Sequence, residues 1–504
     1  MELYRPFKLS IPNDINQLSV VLAAVSEYAG AIGFRKHDIS KIRTAVEESL
    51  GNIIRHSYLP DQEDEIEIQV SNSPEGIVIR IKDHGLPIEE EALSGRDPAM
   101  ESGGRDSEGA SLFLAQTFMD KIVHEARGYK GNLCILEKYY PGKRHPGIHP
   151  VKLTLHRGDI PDRKGNYIIR LMHPDEAQEV SRLAYLSYHY SYPFENIYIP
   201  SKVRELNMQG KMISAVAASG DFPKIISHSA LELPMTSSKF AEIGIAFTNP
   251  EYRGCGCMNR LTEFLINNIA KDLGLSGVFC MAVTSHPYSQ KGANKHGMKD
   301  CALLVSRLPV LEFEKLHKKE IQRESLMIAL TLFERPFRMT VYPPSQHKNM
   351  ILEILDNLGI ESIVGEKNAT LSEMKNINSH IYLEKNDSFR IAKIKIHHYG
   401  KNILEDTKAE FFRLKIERFE TIYLYLNLSD PCTQELAGKF EKLGFFIAGL
   451  VPEDKHIYFV LQYLNNQVYV FDSLQIDSEF GQKLVHYVRK QAEDGGRTHV
   501  QKLT

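Results

Sequence analysis

Long apolar runs, blocks of one charge and regularly spaced cysteines are all missing from this sequence of 504 residues. No run of about 18 apolar residues occurs, and the first residues lack the basic and apolar parts of a signal peptide, so we expect a soluble, cytoplasmic protein without a membrane partner. The 61 Lys and Arg residues nearly balance the 64 Asp and Glu residues, which argues against a nucleic-acid-binding protein. The six cysteines form neither a CxxC pair nor a disulfide framework, which indicates free thiols.

The chain is too long for one ordinary core, and its composition divides it into regions. The predicted regions are 1–140, 141–166, 167–309, 310–480 and 481–504. The second of these is rich in Pro, Gly and basic residues and is predicted to be a linker, with a short strand at VKLTLH as one alternative within it. The last is polar and contains glycine, so we expect a disordered tail.

A helix with an unusual polar flank is predicted at residues 47–58, EESLGNIIRHSY. Apolar residues recur there at helical spacing over one broad face, which we expect to be buried. Glu48, Asn52 and His56 are four residues apart and lie along one flank of that face, where side chains can reach a cleft. A solvated polar boundary is the alternative interpretation of this spacing.

Two segments with alternating apolar residues, DEIEIQV and GIVIRIKDHGLP, predict a β-hairpin farther along the chain. The second strand leads into Asp83 and Gly85, a carboxylate at a strand end before a flexible glycine, which by itself is a common turn. A glycine-containing loop with Gly109 then precedes a helical pattern. Such a loop offers N–H groups and the positive end of a helix dipole to an anion, and phosphate is the obvious candidate.

These three motifs, in this order and spacing, resemble the N, G1 and G2 boxes of the GHKL ATPases, specifically the anti-sigma-factor serine kinases, over residues 1–140. The resemblance implies an α+β sandwich that binds ATP and magnesium. It implies that Glu48 is the general base, that Asn52 holds the magnesium ion at the ATP phosphates, and that Asp83 binds the adenine amine. These roles agree with the oxygen preference of magnesium and with the positioning that phosphoryl transfer requires.

The same resemblance places His56, Gly85 and Gly109 in the nucleotide cleft. One position departs from the family pattern, because Ser111 stands where a second glycine is usual and where the backbone must approach closely. Weaker nucleotide binding or lid closure is the consequence that this departure predicts.

The middle of the chain carries a second motif, in which the strand KFAEIGIAF runs into a glycine turn and an amphipathic helix. Glycines at this turn allow successive N–H groups to point inward, and a pyrophosphate would fit there, although a tight connection is the simpler interpretation of such a turn. With its flanking segments, the motif resembles the GNAT acetyltransferases over residues 167–309. The resemblance implies a mixed α/β domain that binds acetyl-CoA.

In this resemblance, the backbone groups of Ile245 and Phe247 meet the pantetheine, and residues 253–258 wrap the pyrophosphate. The loop residues concerned are Arg253, Gly254, Cys255, Gly256, Cys257 and Met258. The last of them departs from the small residue that is usual there. A metal or redox role for the CxC pair is a weak alternative, because no partner ligands accompany it.

The residues that would catalyse acetyl transfer are only partly present in the sequence. Glu242 is a candidate base for an amine nucleophile, and an ordinary surface position on the strand is the equal alternative. Ala293 occupies the position at which many family members carry a general-acid tyrosine, and His286 replaces the usual asparagine. Either His286 or Tyr288 is a candidate substitute, and general acid catalysis is worth roughly 10² to 10⁴ in rate. Acyl-CoA binding is therefore the firmer prediction.

The third region partly repeats the second, because SDPCTQELAGKFEKLGF echoes SHPYSQKGANKHGM. Strand-like segments precede and follow both stretches, which predicts a second, degenerate GNAT-like domain. It lacks the glycine loop, and Phe440 takes the place of the tyrosine. We expect this region to pack or recognise rather than catalyse.

Two functions follow from these motifs for an overall α/β chain. The first is a signalling enzyme that phosphorylates Ser or Thr on a protein partner of the anti-sigma or anti-anti-sigma type and transfers acetyl to an amine acceptor. The second is a non-catalytic regulator in which ATP and acyl-CoA occupancy controls binding to that partner. The oligomeric state is open, with a homodimer as one alternative.

Overall fold

The computed structural model describes residues 6–73, 75–87, 115, 117–140, 167–219, 224–233, 235, 238–309, 322–333, 337–366 and 378–494. Helices and strands are mixed along this length, which confirms the predicted α/β class. The chain forms two compact units. The first comprises Met1–Met208, Val216–His228 and Phe247–Cys255, and the second comprises Gln209–Ala215, Ser229–Ala246 and Gly256–Thr504. The predicted linker, Gly109 and Ser111 lie outside the described residues.

The first unit begins with an antiparallel five-stranded sheet and two helices. Its strands are β1 (Phe7–Pro12), β2 (Glu65–Asn72), β3 (Gly76–Asp83), β4 (Lys121–Ala126) and β5 (Asn132–Tyr139), and its helices are α1 (Leu18–Ala31) and α2 (Lys36–His56). The strand order is β1-β2-β3-β5-β4. The predicted hairpin is confirmed, since β2 and β3 pair antiparallel. Alternate residues of both strands are fully buried and form one core with the two helices.

The polar flank predicted at residues 47–58 lies on helix α2. Its apolar face is buried as expected, from Ile42 to Ile53. Asp38 lies in the first turn, while Arg55 and His56 lie in the last turn, and these charges complement the helix dipole. Burial of one face anchors the helix and leaves its flank available for chemistry.

The first unit continues beyond the region that the sequence assigns to its first domain. It adds β6 (Tyr167–Leu171), α3 (Ala177–Tyr188) and α4 (Pro200–Met208). Nε2 of Gln62 donates a hydrogen bond to Oη of Tyr185 at 2.8 Å. The start of the predicted second domain is thus packed onto the first, which composition alone did not indicate.

The second unit is built on a large mixed sheet. The strands that follow β6 are β7 (Met212–Ser219), β8 (Lys224–Glu232), β9 (Phe240–Thr248), β10 (Gly277–Val283), β11 (Lys299–Leu308), β12 (Glu324–Leu332), β13 (Phe337–Val341), β14 (Ile360–Val364), β15 (His380–Asn386), β16 (Ile391–His398), β17 (Thr421–Asn427), β18 (Phe446–Glu453) and β19 (His456–Leu464). Among these strands the order is β15-β16-β17-β19-β18-β11-β12-β10-β9-β8-β7, while β13 and β14 form a separate parallel pair. The parts of β7, β8 and β9 that lie within Val216–His228 and Phe247–Cys255 belong to the first unit.

Helices flank these strands throughout the second unit. They are α5 (Cys257–Phe264), α6 (Tyr288–Lys295), α7 (Lys348–Asn357), α8 (Ile403–Ile416), α9 (Pro431–Glu441) and α10 (Glu479–Asp494). A single large core joins the inner faces of helices and strands, and Phe440 lies in it fully buried. In the described part of the chain, no helix is both long and apolar enough to cross a bilayer.

The sheet continues across the boundary that the sequence predicts at residue 309. Strand β12 pairs antiparallel with β10 on one side and with β11 on the other. Composition could not indicate this arrangement, because pairing of β12 with β10 joins residues that are about 50 positions apart and depends on tertiary packing.

The predicted disordered tail needs a correction, because residues 481–494 belong to helix α10. Leu484, Val488 and Ala492 are fully buried and four residues apart, so the helix has one apolar face against the core. The polar composition of this segment belongs to the opposite, solvated face. Residues 495–504 lie outside the described part of the chain.

Candidate functional site

The three polar residues singled out in the sequence all lie on helix α2. Glu48 and Asn52 are partly buried on the helix, and His56 is exposed at its end. A carboxylate and an amide on one partly buried flank can present oxygen atoms to a ligand while the apolar face holds the helix. The structure therefore keeps these three side chains at one edge of the first core.

The G1 turn, residues 83–87, begins at the last residue of β3. The carboxylate of Asp83 is buried, with 1% of the residue exposed. Its Oδ1 atom accepts hydrogen bonds from the Gly85 N–H at 2.9 Å and from Nδ2 of Asn132 at 2.8 Å. Its Oδ2 atom is buried and accepts no hydrogen bond from the described residues. One oxygen of this carboxylate is positioned by the protein, and the other is left for a donor.

Burial sets the protonation of this carboxyl group. Removal from water raises the pKa of Asp83, and the hydrogen bonds from Asn132 and Gly85 partly oppose that rise. A buried acceptor without a donor is costly, by roughly 1–3 kcal/mol and more for a charged group. Costly features of this kind are frequent at binding sites, where a ligand supplies the missing partner.

The G1 turn is fixed to the end of helix α2 by a close approach of the two backbones. The Leu86 N–H donates to the Ser57 carbonyl at 2.6 Å. A Cβ atom on Gly85 would lie 2.3 Å from the same carbonyl oxygen, so glycine is required there. The structure thus brings Asp83 next to the helix that carries Glu48 and Asn52.

Asn132 is a site residue that sequence reasoning missed. It is the first residue of β5 and pairs directly with Asp83 on the neighbouring strand β3. Besides the Asp83 carboxylate, its Nδ2 atom contacts the carbonyl oxygens of Gly85 at 3.3 Å and Leu86 at 3.1 Å. An amide at the start of a predicted strand was the available signal, but its register with Asp83 depends on the sheet.

Two carboxylates lie on adjacent strands of the second unit. Glu242 on β9 and Glu232 on β8 are both partly exposed, and the Cβ position of Gly244 would contact a carboxylate oxygen of each at 3.5 Å. Burial raises the pKa of both, and the charge of Glu242 raises the pKa of Glu232 further. Arg307 acts in the other direction on Glu242, so this carboxyl ionises first.

Strand β9 changes conformation beyond Glu242. Its parallel pairing with β10 covers three residue pairs and ends at Glu242 and Phe279. Ile245 has a φ of 47°, a left-handed conformation that is strongly disfavoured for a β-branched residue. Strain of this kind persists where the surrounding structure imposes it and is often found at ligand sites.

The glycine turn after β9 has the backbone geometry that the sequence predicts. Gly254 and Gly256 have φ values of 87° and 78°. The residues that follow begin helix α5, in which Cys257 is buried and Met258 partly exposed, while Arg253 is exposed ahead of the turn. Cys255 is partly exposed, and none of the six cysteines, which all lie in the described ranges, forms a disulfide. Within the described ranges, no group of three or more His, Cys, Asp or Glu side chains could hold a metal ion.

The position that lacks the general-acid tyrosine is an interior one. Ala293 is 7% exposed on helix α6. Tyr288, one candidate substitute, is 65% exposed at the start of the same helix, with its ring centroid 5.3 Å from that of His286. Neither side chain occupies the buried position of the missing phenol.

Comparisons with known proteins agree with the first resemblance. A profile described as a histidine kinase-like ATPase domain matches residues 11–138. The serine-protein kinase RsbW of Bacillus subtilis (strain 168) is 21% identical over 141 residues, which cover 27% of this chain and 87% of the relative. The anti-sigma F factor of Clostridium perfringens (strain SM101 / Type A) is 30% identical over 118 residues, which cover 23% of this chain and 82% of the relative.

Solved acetyltransferase structures are similar over another part of the chain length. The ribosomal-protein-S5-alanine acetyltransferase from Vibrio fischeri covers 35% of this chain and 98% of its own, with 14% identity and a TM-score of 0.28. The putative acetyltransferase YncA from Salmonella typhimurium, solved with its cofactor acetyl-CoA, covers 34% of this chain and 95% of its own, with 11% identity and a TM-score of 0.28.

Anti-sigma F factor is matched over most of its own length, and the profile match over residues 11–138 contains the Asp83 turn and helix α2. Over residues 11–138, this chain belongs to the family of histidine kinase-like ATPases that includes anti-sigma F factor and the serine-protein kinase RsbW.

Proposed function

We propose that the first domain is an ATP-dependent serine/threonine kinase that phosphorylates a protein partner of the anti-sigma or anti-anti-sigma type, and that the second is an acetyl-CoA-binding GNAT domain that transfers acetyl to an amine. The observation that carries the kinase half is the buried Oδ2 atom of Asp83, which receives no donor from the described residues. A purine amine is a neutral N–H donor that fits this acceptor.

Asp83 suits adenine because the described residues donate hydrogen bonds to only one of its two carboxylate oxygens. Hydrogen bonds to Oδ1 from Gly85 and Asn132 hold the carboxylate plane in one orientation. The adenine amine would then donate to Oδ2 and remove the cost of an unpaired buried acceptor. Gly85, pressed against Ser57, keeps the turn free of a side chain beside this subsite.

The phosphates of the nucleotide would be bound by the polar flank of α2. Magnesium, when bound with ATP, supplies charge neutralisation for phosphoryl transfer. Asn52 offers one amide oxygen, and phosphates and water would supply the remaining ligands that magnesium prefers. Glu48, one helical turn earlier, accepts the proton of the attacking hydroxyl. The partly buried position of both side chains supports these roles.

The acetyl-CoA half of the proposal rests on strand β9 and on the glycine turn that follows it. The strained Ile245 interrupts regular strand geometry where backbone groups would meet the pantetheine. Left-handed glycines at 254 and 256 allow the N–H groups of the turn to converge on a pyrophosphate. Glu242, the more readily ionised of two raised carboxyls, is suited to take a proton from an ammonium acceptor near neutral pH.

The first experiment is thermal unfolding of the full chain with Mg-ATP, acetyl-CoA, both ligands or neither. A ligand at 100 times its dissociation constant adds about 2.7 kcal/mol to the stability of the domain that it binds. We expect a shift with each ligand. Absence of a shift with Mg-ATP would remove the kinase half, and absence of a shift with acetyl-CoA would remove the transferase half.

A regulator without catalysis is the second candidate, and Ala293 favours it. Its buried methyl group cannot reprotonate a thiolate, and Tyr288 lies in solvent instead of at that position. Binding of both ligands without turnover of either would support the regulator. Release of ADP or CoA that depends on Glu48 or Glu242 would support the enzyme.

A further inference from the structure

The tyrosine segment, residues 185–198 in the first unit, contacts the G1 turn through two phenol groups. Oη of Tyr190 donates to the carbonyl oxygen of Gly85 at 2.7 Å. Oη of Tyr185 donates to the carbonyl oxygen of His84 at 3.0 Å. The segment thus holds the backbone of the turn that begins at Asp83.

The contact at Gly85 leads directly to the adenine subsite. Nδ2 of Asn132 approaches the same Gly85 carbonyl oxygen at 3.3 Å while it donates to Oδ1 of Asp83. Tyr190 and Asn132 therefore share one acceptor. A displacement of the Asp83 carboxylate on nucleotide binding would act on Tyr190 through three hydrogen bonds.

A second attachment holds the tyrosine segment against the loop between β4 and β5. Oη of Tyr129 lies 2.9 Å from the carbonyl oxygens of both Tyr192 and Pro193, and the Tyr129 N–H donates to Oε1 of Glu195 at 3.2 Å. A Cβ atom on Gly128 would lie 2.5 Å from Cγ of Glu195, and Gly128 has a φ of 60°, so a side chain there would displace Glu195 and strain the backbone. The tyrosine segment is therefore closely packed against this loop.

The opposite side of the tyrosine segment reaches the end of strand β9. Oγ of Ser187 donates to the carbonyl oxygen of Thr248 at 3.3 Å. The ring centroids of Tyr192 and Phe247 are 6.0 Å apart in an edge-to-face arrangement. Phe247 is the residue whose backbone is proposed to meet the pantetheine. The positive charge of Arg253, on the proposed pyrophosphate turn, lowers the otherwise raised pKa of Tyr188.

Ring contacts connect the two sides of the segment without a gap. Tyr190 packs edge to face on Tyr185 and on Tyr198, with ring centroids 5.0 Å apart in both pairs. The Tyr192 N–H donates to Oη of Tyr198 at 2.9 Å. The path from Gly85 to Phe247 therefore consists of direct contacts between packed, mostly buried groups.

We propose that the tyrosine segment couples the nucleotide subsite at Asp83 to the acetyl-CoA strand at Phe247, so that each ligand strengthens binding of the other. This inference rests on the proposed function, because both ligands must bind. Positive coupling is expected because each ligand orders one end of a shared set of contacts, and the second ligand then has less disorder to remove. Coupling between binding sites is reciprocal, so one factor must describe both directions.

Calorimetric titration of the full chain tests the coupling. We would measure the dissociation constant of acetyl-CoA with and without a saturating non-hydrolysable Mg-ATP analogue, and then that of the analogue with and without acetyl-CoA. We expect the same tightening in both directions, by roughly 5- to 150-fold. A coupling factor of 1, or weaker binding of one ligand in the presence of the other, would overturn the proposal.

Two variants interrupt the path at opposite ends. Tyr190→Phe keeps the ring and removes the hydrogen bond to Gly85, while Ser187→Ala removes the bond to Thr248 without any contact to the G1 turn. Each should reduce the coupling factor toward 1 and leave binding of the ligand at the far end unchanged when it is added alone. Tyr382→Phe is the matched control, since this tyrosine is 48% exposed and belongs to the second unit. It should retain the coupling of the unmodified chain.

The outcomes separate this proposal from the proposed function. If either ligand fails to bind the unmodified chain alone, the coupling is overturned together with the half of the proposed function that requires that ligand. If both ligands bind and the coupling factor is 1, only the coupling is overturned and the proposed function stands. If the unmodified chain shows coupling that survives both Tyr190→Phe and Ser187→Ala, the tyrosine segment is not its path.

Discussion

Asn132 donates a hydrogen bond from Nδ2 to Oδ1 of Asp83 at 2.8 Å, and this contact differentiates the two oxygens of a buried carboxylate. The bonded oxygen fixes the orientation, and the other faces a position without a donor among the described residues. The pair occupies directly opposed positions on β3 and β5, so the geometry follows from strand register. The proposed adenine subsite therefore depends on the sheet rather than on a flexible loop.

Asp83→Asn should weaken nucleotide binding and stabilise the free protein. The amide can keep the bonds at Oδ1 but places an N–H donor opposite the adenine amine, so we expect a loss of affinity of roughly 30- to 150-fold, equivalent to about 2–3 kcal/mol. Titration with Mg-ATP measures this loss. An unchanged affinity would contradict the role of Asp83.

The difference in stability between Asp83→Asn and the unmodified chain should depend on pH. Because the folded-state pKa of Asp83 is raised, its favourable contribution is complete below the unfolded pKa and is lost as pH rises through the folded value. The asparagine of the variant does not ionise, so the variant does not lose stability in this way as the pH rises. We therefore expect it to be more stable by about 1 kcal/mol at pH 7–8, with the difference shrinking toward pH 4. Thermal unfolding across this range is the measurement, and a difference that grows in acid would refute the argument.

Glu48→Gln should remove turnover while leaving nucleotide binding nearly intact. The amide keeps the shape of the side chain but cannot accept a proton, and general base catalysis contributes roughly 10² to 10⁴ in rate. ADP release from Mg-ATP measures the effect, with the affinity for Mg-ATP determined in parallel. Glu47→Gln is the matched control, because Glu47 is exposed on the same turn of α2 and should tolerate the change. Equal activities of the two variants would exclude Glu48 as the base.

Glu242→Gln should lower acetyl transfer by roughly 10² to 10⁴ without weakening acetyl-CoA binding. In the unmodified chain, the rate should rise with pH as Glu242 ionises, at a pH above the ordinary range of a glutamate, because burial raises its pKa. The variant should lose this rise of the rate with pH. CoA release with a panel of polyamines and peptide amines provides the measurement.

Glu232→Gln is the comparison for this experiment, since it removes the neighbouring carboxyl and leaves Glu242 with Arg307. It should keep transfer and the rise of the rate with pH, at an unchanged pH, because Glu232 is still neutral when Glu242 ionises and adds no charge against that ionisation. If Glu232→Gln loses transfer while Glu242→Gln keeps it, Glu232 and not Glu242 is the base.

Leu484→Ala should destabilise the second unit, although the composition of this segment suggests a tail. Leu484 is fully buried in the main core, and truncation of such a leucine costs about 2–5 kcal/mol. Denaturant unfolding measures the change. Lys490→Ala, at an exposed position of α10, is the control and should stay within about 0.5 kcal/mol of the unmodified chain. A negligible effect of Leu484→Ala would show that the helix does not contribute to the core.

Residues close together in sequence were predicted well. The apolar face of α2, the hairpin of β2 and β3, and the glycine turn after β9 all depend on spacing within a few residues. The proposed roles of Glu48, Asn52 and Asp83 came from the order of three motifs and stay predictions. The tail was read incorrectly because the polar face of α10 dominates its composition while its buried face contributes only a few residues.

The sequence by itself determined the local elements, the mixed α/β class and the family of residues 11–138. Only tertiary structure decided which distant residues meet. Asn132 reaches Asp83 because β5 pairs with β3, and Tyr190 reaches Gly85 because α3 and the segment after it pack onto the G1 turn. Such contacts join residues that are 49 and 105 positions apart. Their formation depends on the packing of the whole unit, because the entropy of closing long loops is recovered only from many contacts at once.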